Sequence, residues 1–351
     1  MMHPYKNLPD KAFWRPSVAD LNAFEIKNLW SPKFKIKPTS KVATYGSCFA
    51  QHIGNALQDR GFNWFITEKP IQGLPPQFTK KFNYNIFTSR TGNIYTTSIL
   101  KQWVSWASGE TTPPDEYWEA NGQIFDPFRP TVEPDGFESV QEMRKARQET
   151  INRFRESIVE SDFFVFTLGL TESWVNQDGG YEYPLCPGTV QGEFEPAKHV
   201  FVNQDFPTVR NNLQQAILAM RSMNPRLRFI LTVSPVPLTA TASGEHVVLA
   251  TMYSKSVLRA VAGQMAQTRK FVDYFPSYEI INSPVFKGAF FEPNMRSVSA
   301  YGVRFVMDTF FQSLTEKFGD LIGDVSKHEA AQTSADVVCE EELLGAFGGE
   351  K

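Results

Sequence analysis

Apolar positions along this chain alternate between short runs and helical stripes. Residues 41–45 read as a strand, which Gly46 and Ser47 break. Phe49, Ile53, Ala56 and Leu57 then recur at helical spacing across 48–60, and Gly61 ends the run. Residues 62–67 read as a second strand, so the opening is strand–turn–helix–strand. Residues 70–137 are rich in proline and aromatics and hold one helical stripe near 97–109. They predict an insertion over one end of a sheet. A charged amphipathic helix (138–160) precedes the apolar run 163–168. The stretch 169–206 reads as loop. Helix 209–223 stops at Asn224-Pro225, and strand 228–233 follows. Helix 247–267, a short strand at 271–275, a loop at 276–297 and helix 299–317 complete the pattern.

Strands that alternate with amphipathic helices predict a doubly wound α/β fold with a parallel central sheet. We expect an irregular lead-in at 1–40, one domain over 41–320, and a disordered tail at 324–351. Ligands in such folds bind at the carboxyl ends of the strands. That rule selects the loops 46–48, 169–206, 234–247 and 276–297.

Composition narrows the chemistry. The 351 residues carry a formal charge of −3. Residues 324–351 hold seven acids and two lysines, leaving +2 for the rest. This balance argues against a dedicated nucleic-acid binder. Cys48, Cys186 and Cys339 form no CxxC pair, so a finger-type metal site is not expected. Neither GxGxxG nor GxxxxGK[ST] occurs, and no cofactor is expected. The start, MMHPYKNLPDK, has no apolar h-region, and no run of about 18 apolar residues occurs. A cytoplasmic protein without a membrane span is the expectation.

The strongest local signal is Tyr45-Gly46-Ser47-Cys48-Phe49-Ala50. A serine between a strand and a helix N-terminus faces free N–H groups and the helix dipole. It could be a nucleophile or merely an N-cap. Cys48 could be a nucleophile or a buried thiol.

Gly46-Ser47-Cys48-Phe49-Ala50 resembles the signature of the GSCFA family, which is similar to the SGNH/GDSL hydrolases. The resemblance runs from about residue 38 to 317. It includes the segments 167–174 (TLGLTESW), 232–236 (TVSPV), 253–255 (YSK) and 274–279 (YFPSYE). It implies a flavodoxin-like three-layer α/β/α fold and a serine, here Ser47, that forms acyl-enzyme intermediates. Typical reactions are ester hydrolysis and acyl transfer on carbohydrate O-acyl groups. The expected function is therefore a serine esterase or O-acyltransferase for an acylated carbohydrate or polysaccharide precursor. The alternative is a non-catalytic binding protein on the same fold. The resemblance also implies an oxyanion hole from the Ser47 N–H, a glycine (Gly92, or else Gly73) and an asparagine. The asparagine position is not matched, and Thr171 or Asn176 is left to donate.

The superfamily's Asp-x-x-His pair maps onto Asn294 and Ser297, neither of which is a base at neutral pH. Five histidines remain. His3 and His328 lie toward the ends. His52 sits one to two helical turns past Ser47, about 7.5 Å along the axis. His246 and His199 lie in loops at the catalytic end, with His246 preferred as base and Glu245, Glu292 or Asp273 as its orienter. Lys255 invites a serine–lysine pairing. Arg90, Arg129 and Arg296 could hold an anionic or sugar substrate, Glu172 in the site turn could bind substrate or serve only as a helix N-terminal acid or salt-bridge member, and Trp174 could stack on a sugar. Trp118 has the same option; Trp103 and Trp106 read as core.

Overall fold

The structure is a computed structural model that describes residues 3–319 and 339–348. Its centre is a four-stranded parallel sheet. The strands are β1 (Val42–Gly46), β4 (Phe163–Leu168), β8 (Arg228–Val233) and β9 (Val272–Tyr274), in that spatial order. Alternation along each strand splits the side chains between two cores. Ala43, Tyr45, Phe164, Phe166, Leu168, Phe229, Leu231 and Val233 face one layer. That layer contains α3 (Thr97–Ser108), α4 (Val140–Glu160), α5 (Phe206–Met223) and α6 (Val247–Thr268). Val42, Phe163, Val165 and Ile230 face the other layer, of α1 (Ala50–Asp59), α7 (Ser277–Asn282) and α8 (Ala300–Phe318). The fold is three-layer α/β/α, as the pattern predicts.

The expected strand at 62–67 is corrected to a single parallel bridge, Val42 to Trp64. The outer edge of β1 is shared among three segments instead. The Val42 N–H donates to Asn63, the Thr44 N–H to the Thr88 hydroxyl, and Ile94 donates to the Gly46 carbonyl. No single segment follows β1 far enough to become a strand.

The stretch 169–206 is corrected as well. It holds a three-stranded antiparallel sheet of β5 (Glu172–Asn176), β6 (Glu182–Tyr183) and β7 (His199–Asn203). The insertion contains a short helix, α2 (Pro76–Lys81), and the hairpin β2 (Trp118–Ala120) to β3 (Gln123–Phe125). Asn121 and Gly122 make its turn, both at positive φ (52° and 75°). An Asn-Gly pair suits that turn, and its signal was present in the sequence. Trp103 and Trp106 are core, as expected.

The predicted disordered tail is corrected in part. Residues 340–348 form a 3-10 helix, and Glu340 and Glu341 are buried. Residues 324–338 and 349–351 of that expectation, including His328, lie outside the described residues.

Glu182 links β6 to α3. Its carboxylate accepts from the Thr96 and Ser98 hydroxyls. Burial pushes its pKa from 4.5 up to about 7. The folded state therefore keeps its proton longer than the unfolded chain. The associated stability is present below about pH 4.5 and is lost as pH rises through about 7, on the order of 3 kcal/mol. Glu182→Gln is expected to flatten the fall in urea midpoint between pH 5 and 8. An unchanged fall would count against this assignment.

Candidate active site

Gly46 sets the position of Ser47. It has φ +131°, and a Cβ there would lie 2.3 Å from the Thr167 carbonyl oxygen. Glycine is thus required where β1 passes closest to β4. The Ser47 N–H donates to that same carbonyl at 3.0 Å. The chain then turns, and the Ser47 carbonyl accepts from Ala50 at the start of α1.

The Ser47 hydroxyl is buried and has no hydrogen-bond partner among the described residues. It is not an N-cap. The α1 cap position is Phe49, with no side-chain capping bond. An unpartnered buried hydroxyl costs about 1–3 kcal/mol and calls for a reason.

Gly169, just past β4, packs against the serine, since a Cβ there would sit 3.1 Å from Ser47 Cβ. Its carbonyl accepts from Lys255 Nζ at 2.8 Å. Lys255 is buried on α6, and burial lowers its pKa from 10.5 to about 8. Its place on a helix face shared with Leu258, Ala262 and Met265 was the available sequence signal. Cys48 is buried, and the neighbouring Cys339, followed by burial, pushes its pKa well up. That environment does not favour a thiolate.

The histidines lie elsewhere. His246 is exposed and caps α6, accepting from the Val248 N–H at 3.2 Å. His199 starts β7, with its ring edge-on to Tyr183 and its Nδ1 accepting from the Glu195 N–H. Burial lowers its pKa, and its Nε2 has no partner. His52 packs on Phe49, and burial holds it down at about 4. No histidine hydrogen-bonds to Ser47 among the described residues.

The Asp-x-x-His position is a closed turn. Asn294 Nδ2 donates to the Ser297 hydroxyl at 3.0 Å, and Asn294 Oδ1 accepts from the N–H groups of Arg296 and Ser297. The pair is hydrogen-bonded internally but holds no titratable group.

Six residues with expected roles are held by other bonds. The Ser47 N–H is already committed to Thr167. The Thr171 hydroxyl donates to Asn203 at 2.7 Å, so it is committed too. Arg90 is buried over Tyr84 and bonds to Phe82, Val132 and Glu133, which makes it an internal tie of the insertion. Arg129 is likewise held by Asp126. Asn176 bonds to Tyr181 and Tyr183. Asp273 accepts from the Lys33 N–H at 2.7 Å.

Next to the Gly169 turn, with Ser47 itself outside its lining, lies a cavity of about 500 Å³. Tyr95, Leu170, Glu172, Trp174 and Phe194 line it, with Glu341, Leu344 and Phe347 from the C-terminal segment. The Tyr95 carbonyl accepts from both Gly169 and Leu170, which joins this cavity wall to the serine loop. Glu172 accepts from the Thr241 hydroxyl, and burial raises its pKa. Gly92 has φ +69° and meets the Glu340 carboxylate. Among the described residues no cluster could hold a metal ion, and no helix is long and apolar enough to cross a membrane.

A buried, unpartnered serine thus sits at the carboxyl end of the parallel sheet of an α/β/α fold, on a glycine-forced turn. The chain belongs to the GSCFA family, whose model matches residues 41–310. A carbohydrate esterase family 3 structure from Talaromyces cellulolyticus is similar to it over 64% of this chain and 92% of that one. The identity is 14% and the TM-score 0.27. No curated protein sequence matches the chain.

Proposed function

We propose that the chain is a serine esterase or O-acyltransferase that acts on an acylated carbohydrate or polysaccharide precursor. The observation that carries this reading is the buried, unpartnered Ser47 hydroxyl beside the start of α1. Ser47 Oγ attacks the acyl carbonyl. The carbonyl oxygen takes the negative charge, and the N–H groups of Cys48 and Phe49 face it from the first turn, where a helix offers them no acceptor of its own. The leaving alcohol takes a proton, and an acyl ester remains on Ser47. Water or an acceptor hydroxyl then releases the acyl group.

Lys255 is the proton acceptor in this reading. It reaches the serine loop through the Gly169 carbonyl, and a lowered pKa leaves it largely neutral in mild base. As a base it works deprotonated. Turnover is expected to rise with pH and level off above about 8, and Lys255→Met is expected to lose this rise with most of the rate. A limb near the ordinary histidine range would move the role to a histidine instead.

The direct test is labelling with a fluorophosphonate probe. Covalent modification of Ser47, absent in Ser47→Ala, supports the enzyme. A folded chain that takes no label favours the second reading, a carbohydrate-binding protein. The loss of a titratable group at Ser297 is the observation on that side.

A further inference from the structure

The C-terminal segment docks by the wrong residues for an ordinary amphipathic helix. Its apolar Leu343 and Phe347 are exposed, at 45% and 73%. Its two most buried residues are the carboxylates Glu340 and Glu341, at 2% and 5%. Burying a carboxylate costs several kcal/mol unless the receiving surface supplies donors or a cation. Apolar burial therefore does not account for the docking. What meets the two carboxyl groups is a set of donors on the receiving surface.

Two pockets hold these donors. In the first, the Glu340 carboxylate accepts from the Thr131 hydroxyl, beside the buried Asn93. Gly92 lets it approach, with Glu340 Oε1 only 3.4 Å from where a Cβ would stand. Asn93 and Glu340 are both buried, and Glu340 Oε2 keeps an unused bonding position. In the second, Glu341 accepts from the Thr239 N–H at 2.7 Å and lies 3.7 Å from Arg296 Nη2. The Glu341 N–H donates to the Tyr95 hydroxyl at 3.2 Å. Glu342 adds a 3.1 Å pair with Arg296. Burial raises the pKa of both buried carboxyls.

The segment that fills these pockets connects to the serine by packing. Tyr95 packs against Gly169, which packs against Ser47, and Cys339 neighbours Cys48. We propose that the pockets at Asn93–Thr131 and Thr239–Arg296 are substrate subsites for a carboxylate-bearing sugar chain, and that residues 339–348 occupy them as an intramolecular stand-in. The sugar part rests on the proposed function; the carboxylate part does not. An acidic substrate competes with the segment for these pockets, whereas a neutral one gains nothing from them.

The test uses the full-length chain with Glu340→Arg and Glu341→Arg, which ejects the segment by charge. Glu340→Gln with Glu341→Gln is the milder companion should the first pair fail to fold. Calorimetry then measures binding of a synthetic peptide of residues 339–348, a linear tri-uronate and a neutral trisaccharide. The peptide and the tri-uronate are expected to bind the variant at least about tenfold more tightly than the wild type. The neutral sugar, and a peptide carrying Glu340→Gln and Glu341→Gln, are expected to bind much more weakly. Fluorophosphonate labelling of Ser47 is expected to speed up by a similar factor in the variant and to slow when peptide is added. Equal binding of acidic and neutral ligands, or no peptide binding, overturns the proposal. Carboxylate-dependent binding with no labelling in any chain upholds the subsites and sinks the serine chemistry.

Discussion

Ser47→Ala is expected to abolish turnover while making the protein more stable. As a nucleophile, Ser47 carries the covalent step, and its loss should lower kcat by about 10³-fold or more. The stability change has the opposite sign because of where the hydroxyl sits. It is buried without a partner, so removing it deletes an unpaid desolvation cost of about 1 kcal/mol. A capping serine behaves differently, since its replacement by alanine costs about 1 kcal/mol. Urea midpoints and ester hydrolysis on the same two proteins separate these cases. A variant that is less stable than the wild type would return Ser47 to a structural role.

Gly46→Ala should have the largest effect on folding. The new Cβ would stand 2.3 Å from the Thr167 carbonyl oxygen and 2.7 Å from the Thr167 nitrogen. Both are backbone atoms in the middle of the parallel sheet, so no side chain can swing away. The φ of +131° adds strain for any residue with a Cβ. The expected loss is roughly 4 kcal/mol or more, enough to leave little soluble protein. Gly61→Ala is the control. It also has positive φ (+72°), but nothing lies within 4 Å of its Cβ. It should cost only about 1 kcal/mol. Similar melting temperatures for the two variants would show that β1 and β4 can part at this point.

Much of the fold is legible in the periodicity. The strands at 42–46, 163–168 and 228–233 are short apolar runs between amphipathic helices, and their two-residue alternation feeds two separate cores. The segment at 62–67 has a strand's composition but not its pairing. Whether such a run becomes a strand depends on its neighbour's free edge, and Thr88 and Ile94 take part of that edge. The small sheet β5–β6–β7 escaped for a related reason: its strands are two to five residues long, too short for a pattern. The hairpin at Asn121-Gly122 carries a readable signal, an Asn-Gly pair between two short strands.

The site was legible only where it is local. A Gly-Ser pair between a strand and a helix is contiguous in sequence, and its geometry follows from backbone sterics alone. Lys255 reads as a surface lysine until α6 is docked and its ammonium meets the Gly169 carbonyl. His246 reads as anchored near the site until the loop 234–245 places it at an exposed helix cap. The acidic tail reads as solvated because carboxylates are costly to bury, and that rule has exceptions only where a surface supplies their donors.

The sequence by itself determined the α/β layering, the turn at Gly46 and the candidate nucleophile. Those depend on periodicity and on the absence of one Cβ, which act over a few residues. Only the tertiary structure decided what surrounds Ser47. Lys255, Gly169, Tyr95, Arg296 and Glu341 come from five distant parts of the chain. Their meeting is set by how helices and loops pack on the ends of the strands, and no local pattern records that.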